Sequence, residues 1–257
     1  MSDAYEPRPL ASLSLTHVHY DPDDLISYFC AWLALVPQGL CAVYVTLIWA
    51  SREVEIVSMF AGQMACEGLN WGLKRWIKEE RPRQMNGKGY GMPSSHAQFV
   101  WYFSVSLVLF LLLRHQPTPS TTHTPTTFQM RALLSVLALV GAGAVSASRV
   151  YLNYHTPKQV LVGCAAGTGC AVAWFLFTTW VRRSGLLDVL LDLHVVRMFR
   201  VRDLIVTEDL VDAGWVRWES GRRQKRRAVV KEEEDVASGK KMTFHLRMAR
   251  IPCSDLT

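Results

Sequence analysis

The 257-residue chain has little of what soluble or secreted domains are built from. Charged residues make up 19% of it against 50% hydrophobic ones, and its mean hydropathy is +0.11, too apolar for an ordinary water-soluble domain of this length. Of its six cysteines, Cys30, Cys41, Cys66, Cys164 and Cys170 sit inside apolar runs and Cys253 lies near the C-terminus. That spacing excludes a disulfide framework and a zinc site, and leaves them as small apolar packing residues. No Asn-x-Ser/Thr sequon occurs, and the polar N-terminus, with Pro7 and Pro9, lacks the pattern of a secretory signal. There is no internal repeat. No loop carries an Asp/Glu/His cluster with metal-ligand spacing, so neither a metal nor another cofactor is expected, and no nucleic acid is expected as a partner.

What the chain does have is long apolar runs. Residues 28–49, 97–113, 130–147 and 160–181 are each about long enough for the ~20-residue helix that crosses ~30 Å of hydrocarbon. A fifth run, 54–73, carries Glu67 and Asn70, which lipid would not tolerate but a bundle interior would. The expectation is an all-α polytopic membrane bundle of about five transmembrane helices, spanning residues 27–183. Before it comes a polar leader, 1–26. After it come an amphipathic membrane-surface segment, 184–220, with one helix expected over 188–206, and a charged tail, 221–257. The tail joins a basic block (222–227) to an acidic one (232–235); such runs are usually solvated, the alternative being a partner-binding or sorting role. Residues 116–127 are a Thr/Pro-rich loop. Five crossings put loops 74–95 and 148–159 on one side with the N-terminus. The loops at Ser51 and 114–131 and the tail from Arg182 fall on the other.

Three segments bring cations and imidazoles to that first side: Lys74-(six residues)-Arg81-Pro82, Pro93-Ser94-Ser95-His96 and Ser148-Arg149-(five residues)-His155. Phosphoryl transfer needs fixed positive charge aimed at the non-bridging oxygens and a positioned nucleophile. Lys74, Arg81 and Arg149 supply the charge, the arginines as bidentate forks and the lysine as a point charge. Pro93 to His96 precede an apolar run, and Ser95 with Gln98 has the form of a capping box. The serines either cap a helix or present its unpaired amides to an anion. Glu67, Asn70 and Lys74 share a helical face, where the first two either lock the bundle by interhelical hydrogen bonds or orient Lys74 and Arg81.

This tripartite pattern resembles the signature of the type-2 phosphatidic acid phosphatase superfamily. The flanks 14–18, 90–96 and 148–156 resemble its dolichyldiphosphatase branch, the likeness covering roughly residues 14–220. The resemblance implies that His155 is the nucleophile, forming a phosphohistidine, and His96 the general acid. It also implies that Lys74, Arg81, Arg149, Ser94, Ser95 and the amides of Ser94 to His96 bind the phosphate. It further implies hydrolysis of a polyisoprenoid (dolichyl) diphosphate in the endoplasmic reticulum membrane, with a lumenal active site, recycling the carrier lipid for N-glycosylation. Protein partners are not implied.

The chain departs from the superfamily at Gln159, where an Asp usually holds the nucleophile. Gln159 either fixes the His155 tautomer through its carbonyl or closes a capping box with Thr156 and Pro157 at the helix start, and both can hold. A diphosphate expels a good leaving group, which makes a neutral residue tolerable there. The competing functions are a broad lipid phosphate phosphatase, acting on phosphatidic acid or sphingoid-base phosphates, and a catalytically silent lipid-binding or translocating protein.

Overall fold

The computed structural model describes residues 11–13, 18–81, 89–117, 125–210 and 214–237. Pro82, the flank 14–17, most of the N-terminal leader, the middle of the Thr/Pro-rich loop and the end of the tail lie outside the described residues.

A helical bundle is what the apolar runs build. Helices α1 (Leu25–Leu33) and α2 (Val36–Ser51) form one 27-residue apolar rod. The rod is interrupted just before Pro37, which suits the first turn of a new helix because its missing N–H has no partner there anyway. Helix α3 (Val54–Ile77) follows, then α4 (Ser95–Leu109) with a terminal π-helical turn (Phe110–Arg114), α5 (Phe128–Tyr151) and α6 (Pro157–Arg183). Among the described residues, four stretches are long and apolar enough to cross a membrane: Leu25–Ser51, Ser95–Arg114, Phe128–Tyr151 and Pro157–Arg183.

Helix α3 is more polar, but it runs the length of the bundle. Its 24 residues span roughly 36 Å at 1.5 Å each. Glu55 at its start pairs with Arg114 and Arg182, while Glu79, just past its end, meets Gln159 at the start of α6. Its polar residues Glu55, Gln63 and Asn70 are buried among the other helices, as an intramembrane polar face requires. The outer surface is apolar, with Val45, Val140, Leu161 and Leu176 exposed, and Trp49 and Trp180 ring one end, Trp71 and Trp76 the other, where aromatic belts meet lipid headgroups.

Close approach of α4 and α6 sets the register on which the site depends. A Cβ on Gly163 would lie 2.7 Å from the Ser94 carbonyl, and one on Gly167 only 2.3 Å from that of Gln98. This small-xxx-small stripe lets the two backbones touch, with Ala97 and Ala171 fully buried nearby. The N-termini of α4 and α6 are thereby held side by side.

At the opposite end, buried charges tie the chain together. Glu55 accepts from Arg114 and Arg182, Arg182 also forks onto Asp203, and Arg114 donates to the Phe175 carbonyl and the hydroxyls of Thr178 and Thr179. The described loops between the helices thus divide between the two ends of the bundle. One expectation changes: residues 188–206 are not a single helix but two short ones, α7 (Leu186–Asp192) and α8 (His194–Met198), followed by non-helical chain. The Glu53 carboxylate takes the amides of Leu204 and Ile205, and Arg202 pairs with the backbone of Arg52 and Val54. Those amides are drawn out of any helix by stronger, charge-assisted partners.

The leader is also more structured than expected. Strands β1 (Ala11–Leu13) and β2 (Val18–Tyr20) pair antiparallel, and Val18 packs among Cys30, Ala31, Ala34, Leu152 and Tyr154. Residues from Val18 onward therefore belong with the bundle. The described residues 214–237 belong to a second compact unit. Its helix α9 (Trp215–Ala237) includes both charged blocks, so the boundary expected at 220/221 falls inside a helix. Glu219 pairs with Arg222 and Arg223, and the rings of Trp215 and Trp218 meet at a tilt of 40° with their centroids 4.7 Å apart.

Candidate active site

Every described residue of the three segments gathers at the end of the bundle where α3 and α5 finish and α4 and α6 begin. Helix α5 ends at Tyr151, Asn153 adopts the left-handed conformation (φ 55°), and the amides of Tyr154 and His155 both return to the Arg149 carbonyl at 3.0 and 3.2 Å. This tight reversal places the His155 ring beside the last turn of the helix that carries Arg149. His155 is buried, and burial first, then the charges of Arg81 and Arg149, depress its pKa to about 4. The imidazole is therefore neutral at physiological pH. His96, on the first turn of α4, has Nε2 3.2 Å from the Ala34 carbonyl and lies within electrostatic reach of Arg149, His155 and Lys74.

Several polar groups at this end of the bundle are short of partners. Nε and Nη1 of Arg149, Nε of Arg81 and the Ser94 hydroxyl are all buried without a hydrogen-bond partner. Buried donors of this kind are rare, and each one left unmet is expensive. Arg149 is held from behind by the Tyr154 ring, 4.3 Å from its guanidinium carbon, and the Tyr154 hydroxyl accepts from the His19 amide at 2.8 Å. The arrangement can hold a tetrahedral anion against two imidazoles.

Two sequence expectations for the α4 end are corrected. Ser94, not Ser95, is the N-cap, and neither serine closes a capping box with Gln98. Gln98 instead reaches into α3, accepting from Asn70 at 2.7 Å and donating to the Cys66 carbonyl at 3.0 Å, because a buried amide beside a facing polar helix satisfies both its ends there. Nor is the Ser94 amide available to a ligand, since it donates to the Gln159 carbonyl at 3.1 Å. The amides of Ser95 and His96 remain at the helix start, where no preceding helical carbonyl reaches them. Asn70 thus locks α3 to α4, while Glu67 leaves Oε1 buried and unpartnered within electrostatic reach of Lys74.

Gln159 does both things its sequence context allows. With Thr156 it forms the capping box of α6, and its Oε1 lies 3.3 Å from His155 Nδ1. Its Nε2 faces two acceptors, Glu79 Oε1 at 3.1 Å and the Glu80 carbonyl at 2.9 Å. That leaves Oε1 as the atom toward the histidine, so Nδ1 carries the ring proton and Nε2 presents its lone pair.

Residues 54–183, the helices α3 to α6 that build this site, match the model of the PAP2 superfamily. The chain belongs to that superfamily. Among its relatives, a Neurospora crassa protein named "Putative dolichyldiphosphatase" is 54% identical over 85% of this chain and 95% of its own length. The human protein named "Dolichyldiphosphatase 1" is 43% identical over 67% of this chain and 73% of its own. The crystal structure of a transmembrane PAP2-type phosphatidylglycerolphosphate phosphatase from Bacillus subtilis covers 61% of the chain at 22% identity, with a TM-score of 0.47.

Three residues of this PAP2 site are not legible as site residues in the sequence. Glu79 stands in a charged run that hides its partner 80 positions away. Tyr154, beside His155, shows its role only once its ring lies on Arg149. Gly91 donates to the Glu79 carbonyl at 2.7 Å, and a Cβ there would lie 2.8 Å from both amide atoms of Gln159 and 3.0 Å from Arg81 Cγ.

Proposed function

We propose that the protein hydrolyses dolichyl diphosphate to dolichyl phosphate and phosphate on the lumenal face of the endoplasmic reticulum, recycling the carrier lipid for N-glycosylation. The observation that carries the chemistry is the set of buried donors on Arg149, Arg81 and Ser94 without protein partners, beside two imidazoles. An anion with several oxygens satisfies all of them. The relatives named dolichyldiphosphatases supply the lipid.

In this reading the terminal phosphoryl group lies among Lys74, Arg81, Arg149, Ser94, Ser95 and the Ser95 and His96 amides. His155 Nε2 attacks its phosphorus. The bridging P–O bond breaks, its electrons leave with dolichyl phosphate, and His96 protonates that oxygen where needed. The ring is left as an N-phosphoimidazolium with Nδ1–H directed at Gln159. Water then cleaves the P–N bond, releasing phosphate and restoring His155. The side-chain cations do the charge-neutralising work, so no metal is required. A lumenal site is supported by the basic sequence that follows the last apolar run, Arg182 and Arg183 and then the block 222–227, which suits the cytosolic side once the cations of the phosphate pocket are set aside.

Phosphate release from dolichyl diphosphate and from phosphatidic acid, in detergent with EDTA present, tests the reading. The diphosphate should be strongly preferred, and His155→Ala should abolish turnover and the acid-labile phosphoenzyme. Preference for phosphatidic acid makes it a broad lipid phosphatase, loss of activity with EDTA returns a metal to the site, and an inactive wild type leaves a lipid-binding role.

A further inference from the structure

The superfamily's usual carboxylate is absent from its place behind the nucleophile, yet a carboxylate stands one step further back. Starting at His155, Nδ1–H is directed to Gln159 Oε1 at 3.3 Å, and the same amide donates through Nε2 to Glu79 Oε1 at 3.1 Å. Gln159 is fully buried, so this connection passes through an amide screened from solvent. Glu79 is ionised: the Lys158 ammonium, 3.1 Å from its other oxygen, and then the Gln159 amide hold its carboxyl below the ordinary range. Its position is fixed from its own backbone too, where Gly91 donates to its carbonyl at 2.7 Å.

We propose that Glu79 is a positioning residue for the nucleophile, delivering through the Gln159 amide the negative charge that an Asp at position 159 would supply directly. The proposal rests on the phosphohistidine reading above. When His155 Nε2 bonds to phosphorus the ring gains a positive charge with Nδ1–H still in place. A polarised amide with a carboxylate behind it stabilises that charge, since hydrogen bonds in a chain polarise one another. The proton stays on Nδ1 throughout and no further group is needed. The arrangement also keeps the full negative charge an extra residue's length from the anionic substrate. It thereby avoids the repulsion that a carboxylate touching the ring would bring.

A packing role for Glu79, or a simple surface pair with Lys158, makes different predictions. Lys158 is 71% exposed at its side chain, such pairs contribute little, and a glutamate is ionised at neutral pH without that partner, so Lys158→Ala should leave turnover within about twofold of wild type. Glu79→Gln preserves an acceptor for Gln159 and removes only the charge. It should lower kcat about 10-fold, the low end of what losing a partner behind a ligating histidine costs, with KM nearly unchanged.

The deciding experiment is a cycle with Gln159→Glu, assayed by steady-state release of phosphate from dolichyl diphosphate. Alone, Gln159→Glu sets two carboxylates against each other where a hydrogen bond stood, and activity should fall steeply. Adding Glu79→Gln restores the pair in reverse, with a carboxylate at 159 accepting from both His155 Nδ1–H and the new amide. The double variant should be at least 10-fold more active than Gln159→Glu alone. The Glu80 carbonyl, 2.9 Å from the 159 side chain, repels the new carboxylate equally in both and drops out of the comparison. The same substitution, Glu79→Gln, should therefore lower turnover in one background and raise it in the other. If it lowers turnover in both, or changes neither, the proposal is overturned while an active, His155-dependent wild type leaves the functional reading standing. A wild type inactive on the diphosphate would overturn both.

Discussion

Replacing Gly91 by alanine sets a methyl group 2.8 Å from both amide atoms of Gln159 and 3.0 Å from Arg81 Cγ. Ordinary contact begins near 3.4 Å, so the Gln159 amide must move by about 0.6 Å or the 89–91 loop must lift by as much. Neither shift is free. The amide is held by Glu79 and by the Glu80 carbonyl, and the loop by the 2.7 Å bond from Gly91 to the Glu79 carbonyl. The contact to His155 Nδ1 is already 3.3 Å long, and a displacement of this size breaks it. If a 1 Å misplacement costs about 100-fold in rate, 0.6 Å costs roughly 10- to 20-fold, or about 1.5 kcal/mol of barrier. The assay is phosphate release from dolichyl diphosphate in detergent, with thermal melting to show that the variant folds. Gly169→Ala serves as a control, because nothing lies within 4 Å of a Cβ there, and its turnover should stay within about twofold of wild type. A folded Gly91→Ala protein with wild-type kcat would show that the Gln159 amide does not set the nucleophile, and the steric argument would fall.

Truncating Arg149 should cost on the order of 2 to 4 kcal/mol of transition-state stabilisation, and Arg149→Lys should not recover it, because lysine has neither the planar fork nor the stacking face that Tyr154 supports. Near-full activity of the lysine variant would refute bidentate binding. With its pKa held near 4, His155 loses its free lone pair only as pH falls through about 4. In the substrate-free protein the His155-dependent part of carbethoxylation by diethyl pyrocarbonate should therefore persist at pH 5, where a histidine titrating near 6.5 is mostly protonated; a rate that halves near 6.5 would contradict this. At the other end of the bundle, Glu55 is 3% exposed and pairs with two arginines. Glu55→Gln should destabilise the protein by about 3 to 5 kcal/mol by leaving buried positive charge uncompensated, seen as a large drop in melting temperature in detergent, and an unchanged melt would argue against a buried network.

The site was legible in the sequence where its geometry is local. Arg149 and His155 are six positions apart, and a helix end with one left-handed residue, Asn153, suffices to set them side by side. Thr156, Pro157 and Gln159 specify a helix start by a rule that needs nothing beyond four residues. The same rule misled at Ser95 and Gln98, since Gln98 had a better partner in Asn70, 28 positions away. For residues 188–206, alternating apolar and charged residues suggested one helix. The Glu53 carboxylate, more than 150 positions distant, decided against it by taking the amides of Leu204 and Ile205.

By itself, then, the sequence determined that this is a membrane bundle, which end each loop occupies, and which cations and histidines meet at one of them. Hydropathy and motif spacing are properties of short stretches of chain, and they survive whatever those stretches pack against, whereas a capping pattern survives only where, as at Thr156 and Gln159, no packed neighbour draws its side chains away. Only the tertiary structure decided that Gln159 faces both His155 and Glu79, that the Ser94 amide is already taken, and that Gly91 has no room for a side chain. Those facts depend on how far each helix is rotated and slid along its neighbour. That register is set where Gly163 and Gly167 let α6 press its backbone onto α4, a contact whose two sides lie about 70 residues apart in the chain, so the four-residue spacing of the small residues marks a close-packing face without naming the helix it meets.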